Sequence, residues 1–148
     1  MDNIRIEKFK TDNKENAEIA FFIRRKVFVE EQNVNPDEEY DEFEDTASHY
    51  LLYYNEKPVM TARWYATEKG IKLGRFAMLK EYRGKGVGSK LLNHMMEDVL
   101  LLNKPLYLNA QLPAVSYYGR FGFVKKGDIF LEANIEHYLM EYEGVAVK

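Results

Sequence analysis

The chain has 148 residues, 46 % of them hydrophobic and 14 % aromatic, with 21 Lys and Arg against 24 Asp and Glu for a formal charge of −3. That length suits a single domain over residues 1–148 that buries about two-thirds of its unfolded surface, and the composition excludes a disordered chain. Cysteine is absent, which excludes disulfides, thiolate metal sites and thiol nucleophiles; the opening MDNIRIEKFK lacks a signal peptide's apolar core and no apolar run is long enough to span a membrane, so a cytoplasmic protein is expected.

Asn3–Phe9 alternates Ile4 and Ile6 with polar neighbours, as a strand does. Thr11, Asp12 and Asn13 offer N-caps for a helix predicted to run to about Glu31, with Ala17, Ala20, Phe21, Arg24 and Phe28 on helical spacing. From Glu30 to Asp45 the chain carries nine acids and no Lys or Arg, leaving 21 basic against 15 acidic residues elsewhere. Such a run reads as a solvated loop or as an acidic rim that draws a cationic substrate. Nucleic-acid binding is disfavoured, because it needs a basic stripe on a basic overall balance.

Ser48–Tyr54 and Val59–Thr67 read as strands paired around a turn at Asn55–Pro58, and Lys69–Gly70 turns the chain into a third strand, Ile71–Leu79. Leu91, Leu92, Met95, Met96, Val99 and Leu102 then share one helical face, with His94 read as surface or packing. Asn103-Lys104-Pro105 ends that helix, since proline disfavours helix in the residue before it. Leu106–Ala110 follows as a short strand, completing a right-handed parallel βαβ unit. Pro113–Phe121 is predicted as a short helix, and Phe123–Phe130 and His137–Glu143 as closing strands. The fold class expected is a mixed α/β sandwich, antiparallel first and parallel in the middle.

Arg83-Gly84-Lys85-Gly86-Val87-Gly88-Ser89 sits where a strand turns into a helix. Glycines there let the backbone approach a ligand and aim several N–H groups into one space, while the helix N-terminus, Arg83 and Lys85 add positive charge. A phosphate cradle is expected. The Walker pattern fails, because Gly84-Lys85 is followed by Gly86, and the dinucleotide pattern fails, because the loop reads Gly84-x-Gly86-x-Gly88. ATP and NAD are therefore disfavoured.

Arg83, Gly86 and Gly88 do match R/Q-x-x-G-x-G, and here the sequence resembles the GNAT superfamily of N-acetyltransferases. Gly74–Tyr82 looks like that family's central strand leading into its pyrophosphate loop. Ser116-Tyr117-Tyr118-Gly119-Arg120-Phe121-Gly122-Phe123 resembles its F-Y-x-x-x-G-F signature. Arg24-x-x-Val27-Phe28-Val29-x-Glu31-Gln32, Glu39-x-Asp41, Asp45, His49, Leu108–Gln111 and Ile135-Glu136-His137 narrow the likeness to a small bacterial subfamily of mostly unassigned substrate. Lys80 and Glu136 stand where prolines are usual, the second just before His137.

The resemblance implies a GNAT acyl-CoA N-acyltransferase fold, acetyl-CoA as donor and a primary amine as acceptor. It implies that the pyrophosphate binds at Arg83, Gly84, Lys85, Gly86, Val87 and Gly88, with Ser89 beginning the helix. Backbone groups of Phe76, Ala77 and Met78 would hold the pantetheine arm and the thioester oxygen, an oxyanion donor being worth roughly 3–4 kcal/mol. Asn109 and Gln111 are candidate partners of the pantetheine amides. Tyr118 aligns with the family's general acid, a phenol neutral at pH 7. Leu106 stands where many members carry a glutamate base, which leaves Glu31, Asp41, His49 and His137 as open candidates for that role. Glu31, Asp41, Trp64 and His137, with Arg63, are expected on the acceptor side, and no metal is expected. The acidic run suggests a small cationic acceptor. The alternatives are a protein N-terminus or lysine as acceptor, a non-catalytic CoA-binding or regulatory module, and a partner of phosphopantetheine-bearing proteins. Pairing of C-terminal edge strands would give a homodimer.

Overall fold

The computed structural model describes residues 2–144. Its strands are β1 (Ile4–Phe9), β2 (Ser48–Tyr54), β3 (Lys57–Thr67), β4 (Gly70–Met78), β5 (Leu106–Gln111), β6 (Phe123–Glu132) and β7 (Ile135–Tyr142). They form one sheet in the order β1-β2-β3-β4-β5-β7-β6, in which the β4–β5 pair is parallel and every other pair antiparallel. The helices are α1 (Lys14–Arg24), α2 (Pro36–Glu39), α3 (Val87–Leu100) and α4 (Val115–Gly119). The expected mixed sheet and βαβ unit are present. Among the described residues no helix is long and apolar enough to cross a membrane.

The first helix differs from expectation. Asn13 caps it as read, its side chain accepting from the Asn16 N–H at 3.1 Å. At Arg25, however, it widens into a π-helical segment, Arg25–Glu31, and the Gln32 N–H still reaches five residues back to the Val27 carbonyl at 3.2 Å. Hydrophobic spacing does not register one extra residue per turn. The wider turn delivers Phe28 and Gln32 to the cavity described below.

Both faces of the sheet are covered, and side-chain alternation sorts each strand between them. On β2, Tyr50 and Leu52 enter the core under α3, while Leu51 and Tyr53 enter a second core under α1. The α3 stripe of Leu91, Leu92, Met95, Met96 and Val99 is almost wholly buried, and each such side chain stabilises the fold by about 1.5–3 kcal/mol. On β4 the alternation changes phase. Ile71 and Leu73 lie in the α3 core, but Ala77 lies in the α1 core. The cause is a bulge: Gly74 pairs with Arg63 and Ala77 with Thr61, so Arg75 and Phe76 together stand opposite Ala62. Arg75 adopts a left-handed φ of 52° to make it. A bulge of this kind bends its strand and increases the local twist.

Candidate active site

Just before the bulge, β4 and β5 part. Their parallel register joins Ile71, Lys72 and Leu73 to Leu106, Tyr107 and Leu108, and ends there. The Leu79 N–H bonds the Val59 carbonyl beside β3 at 2.9 Å. By alternation Ala77 also turns its backbone to β3, while Phe76 and Met78 turn theirs to the gap. Ala77, expected to help hold the pantetheine arm, thus has its backbone directed to β3 and its methyl buried under α1. The Met78 carbonyl already receives Arg83, from Nε at 3.1 Å and Nη2 at 2.8 Å. Phe76 supplies the open backbone groups.

The cradle lies at the end of β4. Gly84 and Gly86 have φ of 79° and 76°, where a side chain is strained although a Cβ there would meet nothing within 4 Å. Gly88 serves packing instead, since its Cβ would lie 3.0 Å from Met78 Cε and 3.4 Å from the Tyr117 hydroxyl. Among the described residues, the N–H groups of Gly84, Lys85 and Gly86 donate to no backbone carbonyl. Helix α3 begins at Val87, two residues before the expected Ser89, so the N–H groups of Val87, Gly88 and Ser89 belong to its unpaired first turn. Six consecutive donors at a helix N-terminus suit a pyrophosphate. Arg83 takes a different part from the one its charge suggested. Its guanidinium grips Glu31 at 2.9 and 2.8 Å, and its N–H bonds the Lys80 carbonyl at 3.3 Å.

A cavity of about 400 Å³ occupies the gap. Leu73, Phe76, Leu108 and Tyr118 reach it from the α3 side, and Arg63, Lys72, Asn109 and Gln111 from the α1 side, so it passes through the sheet. Tyr118, on α4, is 8 % exposed and packs against the rings of Tyr117 at 5.3 Å and Phe76 at 5.6 Å. Burial, then the neighbouring Tyr117, pushes its phenol well above the usual tyrosine range, so it holds its proton.

The far wall comes from β5 and the β6–β7 hairpin. Asn109 Nδ2 donates to Glu132 Oε1 at 3.1 Å. Gln111 and Gln32 form a reciprocal amide pair, at 2.9 and 3.3 Å, across the cavity. The His137 ring stacks on Phe130, with Nδ1 at 2.7 Å from the Ile135 carbonyl and Nε2 at 3.6 Å from Glu132 Oε2.

Three of the nine acids of the run, Glu39, Asp41 and Glu44, are drawn into a network with arginines, while Glu30, Glu31, Asp37, Glu38, Glu42 and Asp45 are exposed, as in a solvated loop. Arg24 is 1 % exposed and bonds Glu39 Oε1 at 2.7 Å and Glu44 Oε2 at 2.7 Å. Asp41 takes Arg63 on both oxygens, at 2.7 and 2.5 Å, and Arg75 at 3.3 Å. Burial disfavours the Asp41 carboxylate, but the Arg63 hydrogen bonds and charge, the Phe43 N–H and Arg75 outweigh it and hold the group at about 2. Three arginines thus balance three carboxylates in a buried network, the arrangement in which buried charge is tolerated. His49 belongs to its edge: it is 1 % exposed, with Nε2 at 2.8 Å from the Glu44 carbonyl.

The structure thus brings Asp41, His137, Asn109, Gln111 and Tyr118 to one cavity. Trp64 is placed elsewhere. It alternates with the cavity-lining Arg63 and Tyr65, turns to the α3 face and donates to the Tyr50 hydroxyl at 2.8 Å. Glu31 stands beside the cradle, holding Arg83. Lys72, Arg75, Glu132, Phe28 and Gln32 line the cavity without having been singled out as site residues. The sequence signal for Glu132 is weak, an Ala133-Asn134 turn closing a hairpin.

Residues 10–144 match a family model described as an acetyltransferase (GNAT) domain. The chain is 38 % identical over 130 residues to the uncharacterized N-acetyltransferase YjcF of Bacillus subtilis, covering 86 % of this chain and 93 % of that protein. Its fold superposes on the Escherichia coli ElaA crystal structure with a TM-score of 0.86 at 26 % identity, covering 95 % of this chain and 100 % of ElaA. A Pseudomonas aeruginosa acyl-CoA N-acyltransferase gives a TM-score of 0.85 at 26 % identity, covering 95 % and 99 % of the two chains.

Proposed function

The chain belongs to the GNAT family of acyl-CoA-dependent acetyltransferases, and from that premise we propose that it acetylates a small primary amine by direct attack on acetyl-CoA, with Tyr118 as general acid. The observation that carries this reading is the gap between β4 and β5. Phe76 and Tyr118 line the cavity in that gap, and β4 runs on from Phe76 to the cradle that follows its end.

The N–H groups of residues 84–89 bind the pyrophosphate, and the backbone of Phe76 faces the pantetheine arm and the thioester oxygen. The Gln32–Gln111 pair offers the same donors and acceptors as a pantetheine amide, which can replace either partner bond for bond. An amine in the cavity attacks the thioester carbon. The new C–N bond forms as the C–S bond breaks, and the Tyr118 hydroxyl, which has no hydrogen-bond partner among the described residues, gives its proton to the departing sulfur. A volume of about 400 Å³ suits a small acceptor rather than a protein chain. Of the carboxylates lining the cavity, Glu38 and Glu132 have no arginine partner among the described residues and remain to attract an ammonium group.

Tyr118→Phe tests the role of the hydroxyl. It removes one oxygen and keeps the ring packed against Phe76. A lost general acid lowers kcat by about 10²–10⁴-fold, read as thiol release, with acetyl-CoA affinity by calorimetry within twofold of wild type. An unchanged kcat would show that the thiolate takes its proton elsewhere.

A further inference from the structure

We propose that His137 is the general base that takes the proton from the acceptor's ammonium group, with Glu132 and Asn109 as positioning residues. The inference rests on the acceptor cavity as read above. A primary aliphatic amine is almost wholly protonated at neutral pH, its reference pKa being about 10.4, and an ammonium has no lone pair with which to attack. A base must therefore reach the cavity.

The cavity's geometry removes most candidates. Asp41 is saturated by Arg63 and Arg75. Glu39 is held by Arg24, with both side-chain oxygens within 3.0 Å of the guanidinium. Glu31 lies at the cradle on Arg83, and His49 is sealed against the Glu44 carbonyl. Glu38 lines the cavity from the short helix α2, and no hydrogen bond among the described residues fixes its carboxylate.

His137 differs on each point. It is 5 % exposed and lines the cavity. Its Nδ1 lies 2.7 Å from the Ile135 carbonyl, and a carbonyl oxygen can only accept, so Nδ1 carries the hydrogen. In the neutral ring Nε2 then has the free lone pair. Stacking on Phe130, with centroids 5.9 Å apart and planes at 25°, fixes the ring plane. The Ile135 carbonyl holds the imidazole with Glu136, rather than proline, between them.

Glu132 completes the arrangement. Its Oε2 stands 3.6 Å from Nε2, while its Oε1 is held by Asn109. A proton arriving on Nε2 is therefore met by a carboxylate already in place. The other charged groups facing this wall are Lys72 from β4, which burial pushes below the usual lysine range with Glu132 opposing, and Arg75 and Asp41 across the cavity. Lys72 moderates the field of Glu132, and Arg75 and Asp41 pair with each other.

In the step, one ammonium N–H breaks and its proton goes to Nε2. The freed lone pair forms the C–N bond, the C–S bond breaks with the Tyr118 proton going to sulfur, and the second proton on nitrogen leaves to water as the amide forms.

Two experiments test this. Long-range ¹H–¹⁵N spectra of the intact protein, with His137 assigned by its loss in His137→Asn, should show the Nδ1–H tautomer. An Nε2–H tautomer overturns the proposal. Thiol release is then followed against pH with the fastest acceptor from a panel of primary amines. His137→Asn, which can still donate to the Ile135 carbonyl, should lower kcat/KM at pH 7 by about 10²-fold or more. Its rate should climb about tenfold per pH unit as free amine accumulates, narrowing the gap to wild type at high pH. Glu132→Gln, which keeps a partner for Asn109, should lower kcat more than it changes KM, because the imidazolium loses the carboxylate 3.6 Å from Nε2. Wild-type kcat in both variants, or a His137→Asn profile parallel to wild type, overturns the assignment. If Tyr118→Phe and a charge in the cradle also leave thiol release unchanged, the acceptor-site reading falls. If those two act as expected, the base assignment alone falls.

Discussion

Asparagine and aspartate at position 86 separate the charge of the cradle from its shape. Gly86 has φ of 76°, and a Cβ there meets no atom within 4 Å. Both replacements are nearly isosteric, and both tolerate the left-handed region better than other side chains. Each should therefore cost about 1 kcal/mol of stability and little in packing. They differ in one negative charge beside six N–H donors. Against a pyrophosphate of about two charges at roughly 6 Å, with an effective dielectric between about 40 and 80, the repulsion is about 1.4–2.8 kcal/mol. That corresponds to about 10–100-fold in affinity. Calorimetric titration with acetyl-CoA should give Gly86→Asp a Kd weaker than that of Gly86→Asn by this factor at low salt. The gap should shrink as ionic strength rises and the Debye length drops below about 10 Å. Equal affinities for the two variants, with thermal midpoints matched, would falsify the placement of the pyrophosphate at this loop.

The buried ion network gives two further expectations. Arg24→Met leaves Glu39 and Glu44 without their shared partner at a site 1 % exposed, and should destabilise the fold by about 3–5 kcal/mol in urea unfolding at pH 7. The Asp41 carboxyl falls from 3.8 to about 2 on folding, so the unfolded chain binds more protons between those values. Its contribution is complete above about pH 4 and is lost as pH falls toward 2. Wild type should therefore lose more urea resistance across that window than Asp41→Asn, and equal losses would mean that the Asp41–Arg63 pair contributes nothing net.

What could be read in the sequence was local, and what could not was the joining of distant segments. The cradle is set by residues 83–89, where glycine fixes backbone shape, and the offset of Tyr118 from Gly122-Phe123 is a matter of a few residues in one turn. The strands were legible because Ile4 and Ile6, or the apolar runs of β2 and β3, carry their own period. Phase was harder. The sequence groups Ala77 with Phe76 and Met78 as backbone that bonds the cofactor, but alternation lets neighbours share a side only where a bulge intervenes, and the bulge lies one step earlier, at Arg75–Phe76. Trp64 follows the same rule, since Arg63 and Tyr65 line the cavity and the residue between them faces the α3 core.

The acidic run shows the limit most sharply. Nine acids in sixteen positions suggest an attractor for cations, but their meaning depends on arginines far along the chain. Glu39 and Glu44 meet Arg24 from 15 and 20 residues away, and Asp41 meets Arg63 and Arg75 from 22 and 34. Once those pairs form, Glu38 is the carboxylate of the run that lines the cavity without an arginine partner among the described residues. Glu132, Lys72 and His137, a carboxylate, an amine and an imidazole from three different strands, line the same cavity. Neutralising the whole run would test folding more than recognition. Changing Glu132 alone removes a cavity charge that no arginine among the described residues has already claimed, and so tests the proposed recognition of an ammonium group without disturbing the arginine network.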